Sequence, residues 1–355
     1  MDKKENLYCS IQRNRRRELE NGKLDATCYT PEELRVIAKK INLKITDGMK
    51  KMELWKLIDD AMIQCKGREW CWAKKLGMDS YLKTIFVPEG PNTGNAWLSN
   101  ENIDNVLEQY SLAFPEYEYA GCFSVQVSQA AQKYGFLDPL EPRKLVSIMK
   151  KRRYIGGVFN LDCYECPGTH WTNFMIVNTT GVPEFRYYDS VGNNNTDNKI
   201  PVQVVDLVTS IGSLLRAGGN SKKSASGDGI TYSGANSRKG AAKLFEIPCD
   251  ARLMVVGKNT PDNKQKRGKG RRNGKIPGAK WTGGEITKGV NSGMVGGIKF
   301  MFNGKEHQRG DTECGVYSIH VQDLQINGMK FEQICQLHLP DNKISTFRDI
   351  YFRPE

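Results

Sequence analysis

Long apolar runs are missing from this sequence, and with them any segment able to span a bilayer as a helix. The first residues, Met-Asp-Lys-Lys-Glu-Asn, also lack the apolar core of a signal peptide, so the chain is expected to be made and kept in the cytosol. Cysteine is sparse. Ten residues, at positions 9, 28, 65, 71, 122, 163, 166, 249, 314 and 335, are too few and too scattered for a secreted disulfide scaffold and are expected to be largely reduced. Cys163-Tyr-Glu-Cys166 is a lone C-x-x-C, and Cys335-Gln-Leu-His338 is the other pair with ligand-like spacing. Neither has a second pair at finger spacing, so a zinc site is disfavoured. Histidine is scarcer still: four residues in all leave few candidates for a general base.

Positive charge is abundant, but unevenly placed. Of the net charge of +12, a surplus of eight lies between Lys258 and Gly284, where nine Lys or Arg face one acid, Asp262. A basic globular face would spread that charge, whereas this pattern suits a flexible arm.

Along the chain, residues 1 to 24 are polar and basic. Thr30-Pro31-Glu32-Glu33 is a helix start, followed by Leu34, Ile37, Ala38 and Ile41 at helical spacing. A second helix is expected over Lys51–Met62, with Leu54, Leu57, Ile58 and Ala61 on one face. This two-helix unit is similar in pattern to SAP and Rho-N-terminal modules, which contact DNA or RNA; a helical bundle with Lys39, Lys40, Lys44, Lys50 and Lys51 as its solvated face fits equally well. Residues 65 to 82 read as a further helical or irregular piece, and the Pro-, Gly- and Asn-rich stretch from Pro88 to Asn95 as a linker. Helices are expected from Trp97 to Leu107, Ser124 to Tyr134 and Pro142 to Lys151. Strands follow at Tyr154–Leu161, Trp171–Asn178, Phe185–Asp189, Leu244–Val256 and Gly297–Phe302, and helical pieces begin at Val316, Lys330 and Ile344. The Gly-rich segments around 217–240 and 258–295 read as loops inserted into a domain.

The chemistry gathers on a few of these elements. Between His307 and Leu324 a polar stretch ends at Cys314-Gly315, after which Val316, Ile319 and Leu324 take up helical spacing. Cys314 is thus placed where a loop enters a helix, and unpaired N–H groups and the helix dipole there favour thiolate. Gly315, without a Cβ, permits close approach of substrate, and Gln308 offers an amide donor for an oxyanion. If Trp171–Asn178 turns through 179–184 and returns as Phe185–Asp189, pairing about the turn centre sets residue 170 opposite roughly residue 191. His170 and Asp189 then lie side by side, the acid orienting an imidazole whose other nitrogen serves Cys314. Each residue has a plain structural reading alone; their joint occurrence in this order carries the argument.

The stretches Trp97-Leu98-Ser99-Asn100-Glu101-Asn102-Ile103-Asp104, Gly168-Thr169-His170-Trp171, Tyr188-Asp189-Ser190-Val191-Gly192-Asn193 and His307-Gln308-Arg309 with Thr312-Glu313-Cys314-Gly315 make the chain resemble the adenain and Ulp1-type cysteine proteases. The likeness is strongest to the polyprotein-processing branch of African swine fever virus and other large DNA viruses. It covers roughly 95–205 and 297–353 and departs from the family pattern at Glu313, where Asp is common, and at Asp189, where the swine fever branch has Asn. The resemblance implies an α+β fold, a central mixed or antiparallel sheet flanked by helices, for a protease domain over 91–355, while the helical pattern and the linker-like stretch near 86–96 set apart a helical N-terminal domain over 1–90. It implies His170 as base, Asp189 as orienter, Cys314 as nucleophile, Gln308 as oxyanion donor, and Trp171 with Gly315 at the substrate cleft. No metal or cofactor is called for. The implied activity is a viral thiol protease, a hydrolase cutting structural polyproteins after Gly-Gly-type sites during virion maturation, in the virion and host cytoplasm. Self-cleavage at Gly218-Gly219, Gly283-Gly284 or Gly296-Gly297 is a further expectation. The alternatives are a ubiquitin or SUMO-type isopeptidase and, from another class, a nucleic-acid-binding virion protein using the basic loop and N-terminal helices to hold DNA or RNA, with no membrane partner.

Overall fold

Thr30 opens a helix as its neighbours dictate. Its hydroxyl accepts from Glu33 N–H, and the Glu33 carboxylate accepts from Thr30 N–H, closing a capping box on α1 (Pro31–Lys40). The computed structural model describes residues 8–14, 27–91, 96–193, 200–220, 286–287 and 290–354. Leu34, Ile37 and Ala38 of α1 and Leu54 and Ile58 of α2 (Lys51–Ala61) are buried in one apolar cluster. Short helices α3 (Glu69–Lys75) and α4 (Asp79–Thr84) complete it, so that residues 9 to 86 share a core of their own. Glu69, buried inside it, accepts from Cys28 N–H and Trp55 Nε1.

The expectation that the cysteines are reduced is corrected here: Cys9 pairs with Cys28, Cys65 with Cys71, and Cys163 with Cys166. Two of the three bonds cross-link the small N-terminal core, where limited apolar burial leaves most to gain from a covalent link. Cys122, Cys314 and Cys335 are free, and Cys249 lies outside the described residues.

The rest of the chain is built on one mixed sheet. After α5 (Asn100–Ala113), capped by Ser99, come β1 (Tyr117–Ser124), α6 (Val127–Tyr134), α7 (Pro142–Met149), β2 (Tyr154–Asn160), β3 (Trp171–Val177) and β4 (Glu184–Asp189). Then follow α8 (Val202–Asn220), β5 (Ile286–Thr287), β6 (Val290–Val295), β7 (Ile298–Asn303), α9 (Cys314–Ile326), α10 (Phe331–Gln336), α11 (Asp341–Ser345) and α12 (Arg348–Tyr351). The strands run in the order β1-β2-β3-β4-β7-β6-β5, parallel at β1/β2 and β4/β7 and antiparallel elsewhere. Period-two alternation gives the sheet two apolar faces. Phe174, Ile176, Phe185 and Tyr187 join a core with residues of α6, α7 and α8, while Met175, Val177 and Tyr188 join the core of α5, α9 and the C-terminal helices. The expected α+β architecture is present. Among the described residues no helix is long and apolar enough to cross a membrane.

Three elements differ from the sequence reading. Strand β1 was not expected, and α8 takes up residues 202 to 220, including part of the first expected loop. Residues 290 to 295, expected in the second loop, form β6, which reaches β7 through Gly296 and Gly297, both at positive φ. That glycine pair makes a tight hairpin turn packed against α8, since a Cβ on Gly212 would lie 2.2 Å from Gly296 O. The strand expected over 244–256 and most of both expected loops lie outside the described residues.

Candidate active site

The register of the β3–β4 hairpin builds the first half of the site. Thr172 pairs with Asp189 and Val177 with Glu184, and beyond the ladder His170 Nε2 meets Asp189 Oδ1 at 2.7 Å. Both side chains are buried. The same Oδ1 accepts from Val191 N–H at 3.1 Å, which fixes the carboxylate. Strand β7, parallel to β4, contributes Asn303, whose amide accepts from Asp189 N–H (2.9 Å) and donates to Asp189 O (2.6 Å).

Cys314 is the first residue of α9, as its sequence position suggested, and is buried at 3% exposure. The cysteine acts on His170, and because Nε2 is engaged by Asp189, Nδ1 is the imidazole nitrogen left for sulfur. Burial disfavours the imidazolium. The charge and hydrogen bond of Asp189, joined by those of Cys314, outweigh burial and push the His170 pKa up to about 10. A protonated imidazole beside the cysteine holds a proton that can be passed to a leaving group.

Gln308 is anchored to the same strand end. Ser190 Oγ donates to its Oε1 at 2.6 Å, and the backbone N–H groups of His307 and Gln308 both donate to Ser190 O. Gln308 Nε2 donates one N–H to Gly310 O at 2.9 Å, so the amide is turned with its donors toward the loop that leads to Cys314. Gly192, at φ +76°, permits this close approach: a Cβ there would stand 2.7 Å from Glu306 N. Trp171 Nε1 donates to Leu98 O at 3.0 Å, and Leu98 in turn lies against Gly315, with its side-chain carbons 3.0 to 3.2 Å from the position of an added Cβ. Cys163 and Cys166 are joined to each other, and among the described residues no group of three His, Cys, Asp or Glu is placed to hold a metal ion.

Of the six residues singled out from sequence, His170 meets Asp189 and interacts with Cys314, Trp171 and Gly315 meet through Leu98, and Gln308 is tied to the end of β4 by Ser190. The positioning parts leave less trace in the sequence. In the sequence Ser190 and Leu98 are portions of longer stretches with no mark of their own, and nothing points to Asn303, whose partner lies in a strand over a hundred positions away.

No family model matches the chain. It is 21% identical over 276 residues to a protein named as a thiol protease of Acanthamoeba polyphaga mimivirus, covering 78% of this chain and 63% of that one. Over 168 residues it is 21% identical to a cysteine protease of African swine fever virus, covering 44% and 62%. The chain thus spans about three fifths of the length of the curated relatives it matches. The crystal structure of the African swine fever virus protease superposes with a TM-score of 0.54 at 14% identity, over 99% of this chain and 97% of that one. In sequence the chain is similar to cysteine proteases of large DNA viruses, and its fold is that of the African swine fever virus protease.

Proposed function

We propose that the chain is a viral cysteine endopeptidase whose nucleophile is Cys314. The observation that carries this reading is His170 held between Asp189, at 2.7 Å, and the buried thiol at the start of α9. Cys314 sulfur attacks the scissile carbonyl, and the developing oxyanion is met by the Gln308 amide and by backbone N–H at the helix start. His170, already an imidazolium once the thiolate has formed, gives its proton to the leaving amine, and a thioester acyl-enzyme remains. Water then attacks the thioester with His170 as base, Cys314 leaves as thiolate, and the imidazolium is restored. Asp189 keeps the ring oriented throughout. Trp171, Leu98 and Gly315 are taken as the wall of the substrate cleft, and a preference for glycine next to the scissile bond is proposed with it; the support is that Trp171 Nε1 donates to Leu98 O and Leu98 packs on Gly315.

The substrates proposed are structural polyproteins of a large DNA virus, cut after Gly-Gly-type sites during particle maturation in the virion and host cytoplasm. A ubiquitin or SUMO-type isopeptidase is the second reading, favoured by three African swine fever virus relatives being named SUMO-1 cysteine proteases. The basic stretch 258–284, with the residue 1–90 domain, is proposed to hold DNA or RNA near those substrates; that stretch lies outside the described residues. Among the Gly-Gly pairs, Gly296-Gly297 is a poor candidate for self-cleavage, since its tight turn cannot enter a cleft as an extended chain.

Wild type and Cys314→Ala are incubated in parallel with a viral core polyprotein bearing Gly-Gly-Xaa sites and with a Gly-Gly-linked ubiquitin-like conjugate, and the products are read by mass spectrometry. Cuts dependent on Cys314 in the polyprotein alone support the maturation protease, and cuts in the conjugate alone move the chain to the isopeptidase reading. Cutting of neither, with DNA added, removes both.

A further inference from the structure

Arg348 on α12 is fully buried, far in sequence from every residue given a role above, yet its guanidinium reaches both sides of the cysteine. Nε and Nη2 donate to the two carboxylate oxygens of Glu313 at 3.0 and 3.1 Å, and Nη2 also reaches Thr312 O at 3.3 Å. Glu313 and Thr312 are the two residues before Cys314. From the same group Nη1 donates to Pro91 O at 3.0 Å and Nη2 to Ala96 O at 2.6 Å, on the segment leading to Leu98. Leu98 packs on Gly315 and accepts from Trp171, the residue after His170. One fork of N–H groups therefore ties the two residues before the nucleophile to the segment whose Leu98 packs on Gly315, the residue after it.

We infer that Arg348 is a positioning residue for the nucleophile, setting the Glu313–Cys314 step against the Leu98 roof. The inference rests on the peptidase reading for its role in turnover, but the placement of Cys314 can be followed without a substrate. A planar guanidinium can serve a carboxylate and diverging carbonyls at once. A lysine ammonium, a point charge on a flexible stem, keeps the charge and loses the fork. Neutralising Glu313 is thus one function of Arg348, and holding Pro91 and Ala96 is a separate one.

The test compares Arg348→Lys and the paired Glu313→Leu/Arg348→Met variant with wild type, each checked for a cooperative thermal transition and assayed well below it. The paired variant leaves no buried charge unmatched and so remains informative if the single one unfolds. Two rates are read: alkylation of Cys314 by iodoacetamide, with Cys122 as internal reference, and kcat and KM on a Gly-Gly-aminomethylcoumarin peptide. Since a misplacement of about 1 Å can cost on the order of 100-fold, we expect Cys314 alkylation and kcat to fall together by about 10-fold or more in both variants, with the Cys122 rate unchanged. A merely structural role lowers the thermal midpoint and leaves both rates, per folded molecule, at the wild-type value; that result in Arg348→Lys overturns the inference. Wild-type rates in the paired variant overturn it too, because Arg348 then only neutralises Glu313. If wild type fails to cut the peptide while Cys314 alkylation falls as expected, the peptidase reading fails and the positioning role stands.

Discussion

Ser190 donates its hydroxyl proton to Gln308 Oε1 at 2.6 Å, and Ser190 directly follows Asp189, so the end of one strand aims both the acid that holds His170 and the amide assigned to the oxyanion. Removing the Gln308 donor with Gln308→Ala is expected to lower kcat by about 100- to 1000-fold. Ser190→Ala leaves the amide in place but frees it to turn and strands a buried acceptor, a cost of about 1–3 kcal/mol. Its kcat is expected to fall by about 10-fold, less than for Gln308→Ala, with KM nearly unchanged. Steady-state kinetics on a Gly-Gly peptide checks the order, and an unchanged kcat in Ser190→Ala would remove the serine from the site.

Asn303 supports the other side of Asp189. Its Nδ2 donates to the carbonyls of Asp189 and Lys305, at 2.6 and 3.1 Å, from a fully buried position. Asn303→Ala loses those bonds and is expected to destabilise by about 1–3 kcal/mol. Asn303→Asp does worse, by more than about 3 kcal/mol, because a buried carboxylate then faces two carbonyl oxygens. Urea unfolding midpoints read the ranking. An aspartate variant as stable as the alanine one would show that the amide is not held as described.

Much of this site could be read from sequence because its central geometry is local. A hairpin about a short turn fixes which residues face each other, so the meeting of His170 with Asp189 followed from counting, and the change from polar loop to helical spacing located Cys314. What escaped notice depends on partners distant in the chain. In β1, Tyr117 is buried and the following residues are only partly so, which leaves no clear alternation in Tyr-Glu-Tyr-Ala-Gly-Cys-Phe-Ser; its place in the sheet comes from pairing with β2. Helix α8 opens with four Val and one Ile in ten residues, and β-branched residues suit strands better than helices. Its Val204, Val205, Val208 and Ile211 are buried on the sheet, where the helical period becomes plain. The Gly296-Gly297 turn was a hairpin signal lost among the glycines of the basic segment. The Cys9–Cys28 and Cys65–Cys71 bonds depend on a core that composition does not disclose.

Gly315 is expected to tolerate no side chain. A Cβ there would stand 3.0 Å from Leu98 Cβ and 3.1 Å from Leu98 Cδ1, in a buried place where overpacking costs about 1–3 kcal/mol. Gly315→Ala should therefore lower both the thermal midpoint and kcat/KM. Because the obstruction is one side chain, Leu98→Ala combined with Gly315→Ala should recover part of the lost stability. A double-mutant cycle read by thermal unfolding tests this, and strict additivity of the two changes would mean that Leu98 and Gly315 do not interact.

The imidazolium of His170 gives the pH dependence its sign. Burial works against the charged ring, yet Asp189 and Cys314 raise its pKa from 6.5 to about 10. A group whose pKa is higher in the folded state binds its proton more tightly there. Its stabilising contribution is complete below about 6.5, the value in the unfolded chain, and is lost as pH rises through about 10. The difference in thermal midpoint between wild type and His170→Gln isolates this group from the tyrosines and lysines that titrate in the same alkaline range. Measured from about pH 6 to 10.5, that difference should be largest at the acid end and shrink toward the alkaline end. Asp189→Asn removes the charge that holds the proton, so in that background the decline should begin at lower pH. A wild-type advantage that grows with rising pH would show that His170 is buried as the neutral ring.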